Sequence, residues 1–98
     1  METFRELIDS PKLVLVHFSA TWCTPCEAMS SVLAKIDEKQ NEEIRIVNID
    51  IDKNIDTAVK YSVQSLPTLM LFKEGKQLWR QIGLIDTDEL NRIIEMLK

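Results

Sequence analysis

Two cysteines separated by two residues are the strongest candidates for chemistry in this chain. Cys23 and Cys26 flank Thr24 and Pro25, and the sequence has no other cysteine. A disulfide between them would close a very short loop, so it would remove little entropy from the unfolded chain. A secreted domain stapled by disulfides uses more cysteines, spread more widely. Stability is therefore a weak reason for the pair, which leaves redox chemistry or metal binding.

A metal site fits the composition poorly. Structural zinc takes about four ligands, whereas the chain offers two cysteines and a single histidine, His17. We therefore expect no metal within one chain. A metal centre shared between two chains and a pair of inert, buried cysteines are the less favoured alternatives. Redox chemistry needs no bound cofactor, because the two cysteines carry the electrons themselves.

The elements around the cysteines favour redox chemistry. Leu13–Phe18 is a short apolar run rich in β-branched residues, typical of a strand buried on both faces. A long helix is predicted from Cys23 or Pro25 to about Gln40, since proline suits the first turn. Unpaired N–H groups and the helix dipole stabilise a thiolate at that end and lower the pKa of Cys23. Cys26 follows one turn later, close enough to form a disulfide.

The rest of the chain predicts an α/β fold with the order αβαβαββα. A helix joins the first two strands, which predicts a parallel pair, and a tight turn joins the last two, which predicts an antiparallel pair. We expect one domain over residues 1–98, a four-stranded mixed sheet with helices on both faces. The further predicted elements are a helix capped by Thr3, a strand Ile44–Ile51, a helix Asn54–Tyr61 with Ala58 and Val59 inward, strands Thr68–Phe72 and Gln77–Ile82, and a last helix opened by Asp86.

Composition excludes several classes of partner. The 98 residues carry 12 Lys and Arg against 16 Asp and Glu, a net charge of −4 without a basic cluster, which argues against nucleic acid. No uninterrupted apolar run exceeds the length of Leu13–Val16, far short of a membrane span. The N-terminus lacks the basic and apolar regions of a secretory signal. The sequence thus predicts a cytoplasmic location.

The segment Trp22–Cys26, with the sequence WCTPC, resembles the active-site motif of the thioredoxin family. Three other segments are similar to that family in the same order, and with the strand before the motif the likeness covers nearly the whole chain. It implies a thioredoxin-like three-layer sandwich. A full-length thioredoxin usually begins with an extra strand, so we expect one edge strand to be missing here. The other similar segments are Val47–Asp52, Tyr61–Thr68 and Phe72–Gly75.

The resemblance also implies a reaction. Cys23 would be the exposed nucleophile and Cys26 the buried resolving thiol of a redox-active disulfide that reduces protein disulfides. The expected partners are disulfide-containing proteins and an NADPH-dependent flavoprotein like thioredoxin reductase, with roles in electron transport and cell redox homeostasis. A monomer is expected. The residues implied to bind substrate, with Pro67 in the cis form, are Trp22, Thr24, Pro25, Ile51, Leu66, Pro67, Gly83 and Leu84.

The chain departs from the family pattern around the cysteines. The usual buried Asp is His17, and Asn48 takes the place of the Lys near that acid. Thr24 stands where Gly is usual, Glu27 where Lys follows the second cysteine, and Ser31 where a proline kinks the helix. The dipeptide between the cysteines influences thiolate stability, so the sequence leaves the reduction potential open.

His17 has two readings. It is either a structural polar residue near the end of its strand or the proton acceptor for Cys26, a task that suits an imidazole with a pKa near ~6.5. Two other functions stay open for the whole chain. One is an oxidase or isomerase that works toward disulfide formation. The other is a non-catalytic binding module that uses the apolar groove around Trp22 and Pro67.

Overall fold

A four-stranded mixed sheet forms the centre of the computed structural model, which describes residues 3–98. Its strand order is β2-β1-β3-β4, with β1 parallel to β2 and antiparallel to β3, and β3 antiparallel to β4. The predicted order αβαβαββα is confirmed, with one short 3₁₀ turn added. The elements are α1 (Phe4–Ile8), β1 (Leu13–Ser19), α2 (Thr24–Gln40), the 3₁₀ turn (Asn41–Glu43), β2 (Ile44–Asp50), α3 (Ile55–Lys60), β3 (Thr68–Lys73), β4 (Lys76–Ile82) and α4 (Thr87–Leu97).

The central strand β1 separates two apolar cores. Leu13 and Leu15 pack on one face in a cluster that includes Met29 of α2 and Leu90 of α4. Val14, Val16 and Phe18 pack on the other face with Ile8 of α1. Successive side chains of a strand point to opposite faces, so this strand is buried on both sides, as its sequence predicts. Helices therefore cover both faces of the sheet, which gives the three layers that the resemblance implies.

Helix α3 contradicts one detail of the sequence analysis. Ala58 is buried as predicted, but Val59 is 72% exposed, so its inward assignment is wrong. The helix has only six residues, and Ala58 is the only one of the six that is buried. Tyr61, at the C-terminal end of the helix, packs its ring against two phenylalanines. Its ring centroid lies 5.2 Å from that of Phe4 in α1 and 5.5 Å from that of Phe72 in β3.

Helix α4 covers the core beside α2 and begins at a side-chain cap. The Asp86 carboxylate accepts a hydrogen bond from the Glu89 N–H at 2.8 Å. Such a bond satisfies a backbone donor that the helix itself leaves unpaired. Leu90 and Ile94 follow at helical spacing and are fully buried.

Replacing Asp86 with alanine should lower the free energy of unfolding by about 1 kcal/mol, because the cap bond is lost. Urea unfolding of the oxidised protein measures this. Asp88→Ala is the matched control: Asp88 lies in the same first turn, but only its charge favours the helix, worth about 0.5 kcal/mol. Equal losses in the two variants would contradict the capping role.

Candidate active site

The two cysteines lie where β1 ends and α2 begins. Cys23 is the N-cap of α2 and Cys26 lies in its first turn, with the two joined by a disulfide. Among the described residues no side chain bonds the first-turn N–H groups of α2, and Pro25 occupies that turn. The N–H groups and the helix dipole therefore put positive potential on the sulfur of Cys23, as the sequence predicts.

The expectation that Cys23 is exposed is wrong for the oxidised protein. Cys23 is 6% exposed and Cys26 is 4% exposed. The cause is packing: the disulfide forms a small cluster with Ala20, and Ile51 and Leu66 lie against it. The two cysteines differ instead in what they face, because Cys23 lines the groove described next and Cys26 is outside its lining.

A groove of about 530 Å³ opens beside Cys23. It contains five residues that the family resemblance implies for substrate binding, and three that sequence reasoning missed. The missed residues, Val63 to Ser65, come just before the Leu66–Pro67 bond. They lie in the segment Tyr61–Thr68 that resembles the family, so that resemblance could have identified them. The lining residues are Trp22, Cys23, Thr24, Pro25, Ile51, Val63, Gln64, Ser65 and Leu66.

Pro67 follows a cis peptide bond, as the resemblance implies, and is buried next to the groove. Its carbonyl oxygen accepts a hydrogen bond from the Gly83 N–H at 2.9 Å. Gly83 thus lies beside Pro67, and Leu84 follows as an exposed side chain, but both lie outside the lining of the groove. Contact of Pro67, Gly83 and Leu84 with a substrate stays a prediction.

Arg80 fixes the segment that leads into the groove. Its guanidinium donates to the carbonyl oxygens of Tyr61 at 2.6 Å and Ser62 at 2.7 Å. These carbonyls end α3 just before Val63. The clamp joins the edge strand β4 to the loop that carries the groove wall. No local sequence signal identifies Arg80, because its partners lie 18 and 19 residues away.

Trp22 stands at the rim of the site, 66% exposed. Its indole N–H donates to the Asp52 carboxylate at 2.9 Å, and the Asp52 N–H donates to Asp50 at 2.9 Å. An exposed indole would otherwise rotate freely. The bond therefore orients the ring while leaving its apolar face available at the groove.

His17 is 1% exposed and shares its face of β1 with Leu13 and Leu15, the face that α2 covers. Its Nδ1 lies 3.1 Å from the Asn48 Oδ1, whereas its Nε2 is buried with no hydrogen-bond partner in residues 3–98. Burial lowers the pKa of His17 below its ordinary value near 6.5, and the bond to Asn48 partly offsets this by raising the pKa. The imidazole is therefore neutral at neutral pH.

Two structural limits hold for the part of the chain from residue 3 onward. No group of three or more His, Cys, Asp and Glu side chains is placed to hold a metal ion. No helix there has both the length and the apolar character to cross a membrane.

His17 should make the folded state sensitive to acid. Its pKa is lowered in the folded protein, so as the pH falls through about 6.5 the unfolded chain binds a proton before the folded one does. Stability should be full above that pH and decline below it. Urea midpoints of the oxidised protein between about pH 7 and about pH 5 measure the decline. His17→Leu should show a smaller decline, and equal slopes would contradict this account.

Comparison with known proteins agrees with the geometry. A family model described as thioredoxin matches residues 1–96. A thioredoxin-like protein of Synechocystis is 44% identical over 88 residues, 89% of this chain and 84% of that protein. The thioredoxin of Chlamydia trachomatis is 42% identical over 93 residues, 95% of this chain and 89% of that protein. The solved structure of a malaria-parasite thioredoxin-2 superposes with a TM-score of 0.84 at 30% identity, covering 87% of this chain and 82% of that one.

Proposed function

Because this chain belongs to the thioredoxin family and is a thiol–disulfide oxidoreductase, we propose that it is a protein-disulfide reductase. The observation that carries the proposal is the disulfide between Cys23 and Cys26 at the N-terminal end of α2, opening onto a groove. This position stabilises a thiolate in the reduced protein. The groove supplies room for the polypeptide around a substrate disulfide.

The first step is the attack of the Cys23 thiolate on one sulfur of the substrate disulfide. A bond forms between Cys23 and that sulfur, the substrate disulfide breaks, and its other sulfur leaves as a thiolate. Cys23 is suited to this role because it caps α2 and lines the groove. Cys26 is outside the groove lining, so a bulky substrate reaches Cys23 first.

The second step releases the substrate. The Cys26 thiol loses its proton, and its sulfur attacks Cys23, so the Cys23–Cys26 bond forms as the bond to the substrate breaks. The substrate keeps the two electrons, and the cysteine pair ends oxidised. Burial of Cys26 opposes ionisation of its thiol. His17 is the proposed proton acceptor, since it is neutral and lies on the sheet face that α2 covers.

The groove is the proposed binding site for an extended segment of the substrate protein. Leu66 and Ile51 give it an apolar floor next to the disulfide, and Trp22 gives it an oriented rim. Backbone groups before Pro67 are proposed to bond the substrate chain. The full proposed set is Trp22, Thr24, Pro25, Ile51, Leu66, Pro67, Gly83 and Leu84.

The partners and the location are proposed from the family. Members generally act on disulfide substrates and are reduced by thioredoxin reductase, so we propose an NADPH-dependent flavoprotein of that kind as electron donor. A cytoplasmic monomer suits a reductase, because the cytosol keeps thiols reduced. The closed disulfide favours this function over a pure binding module, whose groove would need no sulfur chemistry.

Cys26→Ser should trap substrate proteins as mixed disulfides, whereas Cys23→Ser should not. The intermediate formed by Cys23 has no internal thiol to resolve it once Cys26 is gone. Non-reducing gels of affinity-purified variants, compared before and after dithiothreitol, show the adducts. If Cys23→Ser kept the protein's partners and Cys26→Ser gave no thiol-reversible adduct, the binding module would replace the reductase.

His17→Leu should slow insulin reduction roughly a hundredfold above about pH 7, because resolution loses its base. The rate at which iodoacetamide alkylates Cys23 should stay the same. The defect should shrink as the pH falls below about 6.5 and through the lowered pKa of His17, where the wild-type imidazole is charged. Gln40→Leu is the control, since it removes another buried polar side chain at the far end of α2. Equal turnover of His17→Leu and wild type would leave His17 structural.

A further inference from the structure

We propose that Asn48 is a positioning residue that fixes the neutral tautomer of His17. The proton is held on Nδ1, so the lone pair of Nε2 is free to receive the proton of Cys26. The inference rests on the proposed function, because it specifies how the proposed proton acceptor is prepared for its task.

The register of the sheet brings the two side chains together. His17 of β1 pairs with Asn48 of the parallel strand β2, and both lie on the face that α2 covers. The imidazole Nδ1 is 3.1 Å from the amide oxygen of Asn48. An amide oxygen only accepts hydrogen bonds, so Nδ1 must be the donor and must carry the proton of the neutral ring.

The surroundings of Asn48 favour this orientation of its amide. The residue is exposed and lines a cavity of about 340 Å³ between α2 and β2, so its NH₂ group has access to water while its oxygen bonds inward. The reversed amide would place the His17 proton on Nε2, which is buried and has no partner in the described chain. Buried N–H groups without a partner are rarer than buried acceptors without one.

The redox state of the cysteines explains why the Nε2 of His17 has no hydrogen-bond partner here. The protein is oxidised here, and a disulfide has no S–H to donate. Reduction returns a thiol to Cys26, which is buried in the first turn of α2, the helix that covers the face of β1 holding His17. The proposed donor to the Nε2 lone pair is this thiol, either directly or through one water. The acceptor is therefore present before the thiol exists.

Few ionisable groups face His17 from the elements packed around it. On α2, Cys26 lies in the first turn and Asp37 lines the cavity that Asn48 also lines; on β2 the next residue on the same face is Asp50. The neighbouring strand β3 presents Leu69 at the paired position. Hydrogen bonding to Asn48 is thus the contact that selects one ring nitrogen over the other.

Nitrogen NMR of the histidine ring tests the assignment directly, because the two neutral tautomers have distinct ¹⁵N shifts. The oxidised wild type at about pH 7.5, where the ring is neutral, should show Nδ1 protonated. Asn48→Leu should shift the population toward the Nε2-protonated form. Asp37→Asn is the matched control, since Asp37 lines the same cavity without a bond to His17. A wild type already protonated on Nε2, or an unchanged tautomer in Asn48→Leu, would overturn the inference.

Turnover separates this inference from the proposed function. Asn48→Leu should slow insulin reduction about tenfold, as expected for loss of an orienting partner, with alkylation of Cys23 unchanged. Asn48→Asp should keep the Nδ1 proton, raise the pKa of His17 through its added charge, and move the acid limb of turnover to higher pH. If NMR confirms the tautomer shift but both Asn48→Leu and His17→Leu turn over like wild type, the proton-acceptor role is wrong. If Asn48→Leu turns over like wild type but His17→Leu is slow, the positioning role of Asn48 is wrong and the proton-acceptor role of His17 stands.

Discussion

Burial of β1 between two apolar cores is the constraint on which the site depends. The strand packs leucines toward α2 and α4 and branched or aromatic residues toward α1, so it can neither shift nor turn over without exposing one set. Its end fixes where the chain turns into α2. Cys23 stands at that turn, and Cys26, in the first turn of the helix that Cys23 caps, is buried with it in a small cluster beside Ala20. The position of the disulfide thus follows from hydrophobic packing.

The same strand places His17 where its usual family counterpart is a carboxylic acid. An ionised carboxylate is costly to bury in the apolar interior. The imidazole of His17, in contrast, is neutral at neutral pH. In the proposed proton transfer His17 would become a cation as Cys26 becomes a thiolate, so opposite charges would develop together. Burial of His17 therefore involves no buried charge in the oxidised state, and Asn48, in place of a lysine, adds no charge beside it.

Sequence predicted what depends on local pattern and on motif. The Cys23–Cys26 pair, the buried strand before it and the helix after it were all readable, because alternation, helical spacing and proline position act over a few residues. Sequence could not give features that long-range packing decides. Val59 is apolar but faces solvent, because consecutive residues of a helix lie about 100° apart around its axis and Ala58 takes the buried side. The burial of Cys23 depends on Leu66, far along the chain. The contact between His17 and Asn48 joins residues 31 positions apart, and it could be seen only once the pairing register of β1 and β2 was known.

The Arg80 clamp bears on whether the groove wall could change with the redox state of the cysteines. Guanidinium groups keep their charge throughout the physiological pH range, and the two carbonyls that Arg80 binds do not titrate. Nothing in this contact gains or loses a proton or an electron, so the contact itself does not depend on whether a dithiol or a disulfide lies beside it. For the proposed reductase, this contact would supply no redox-dependent change that expels a substrate. Release would then follow from loss of the covalent bond between Cys23 and the substrate.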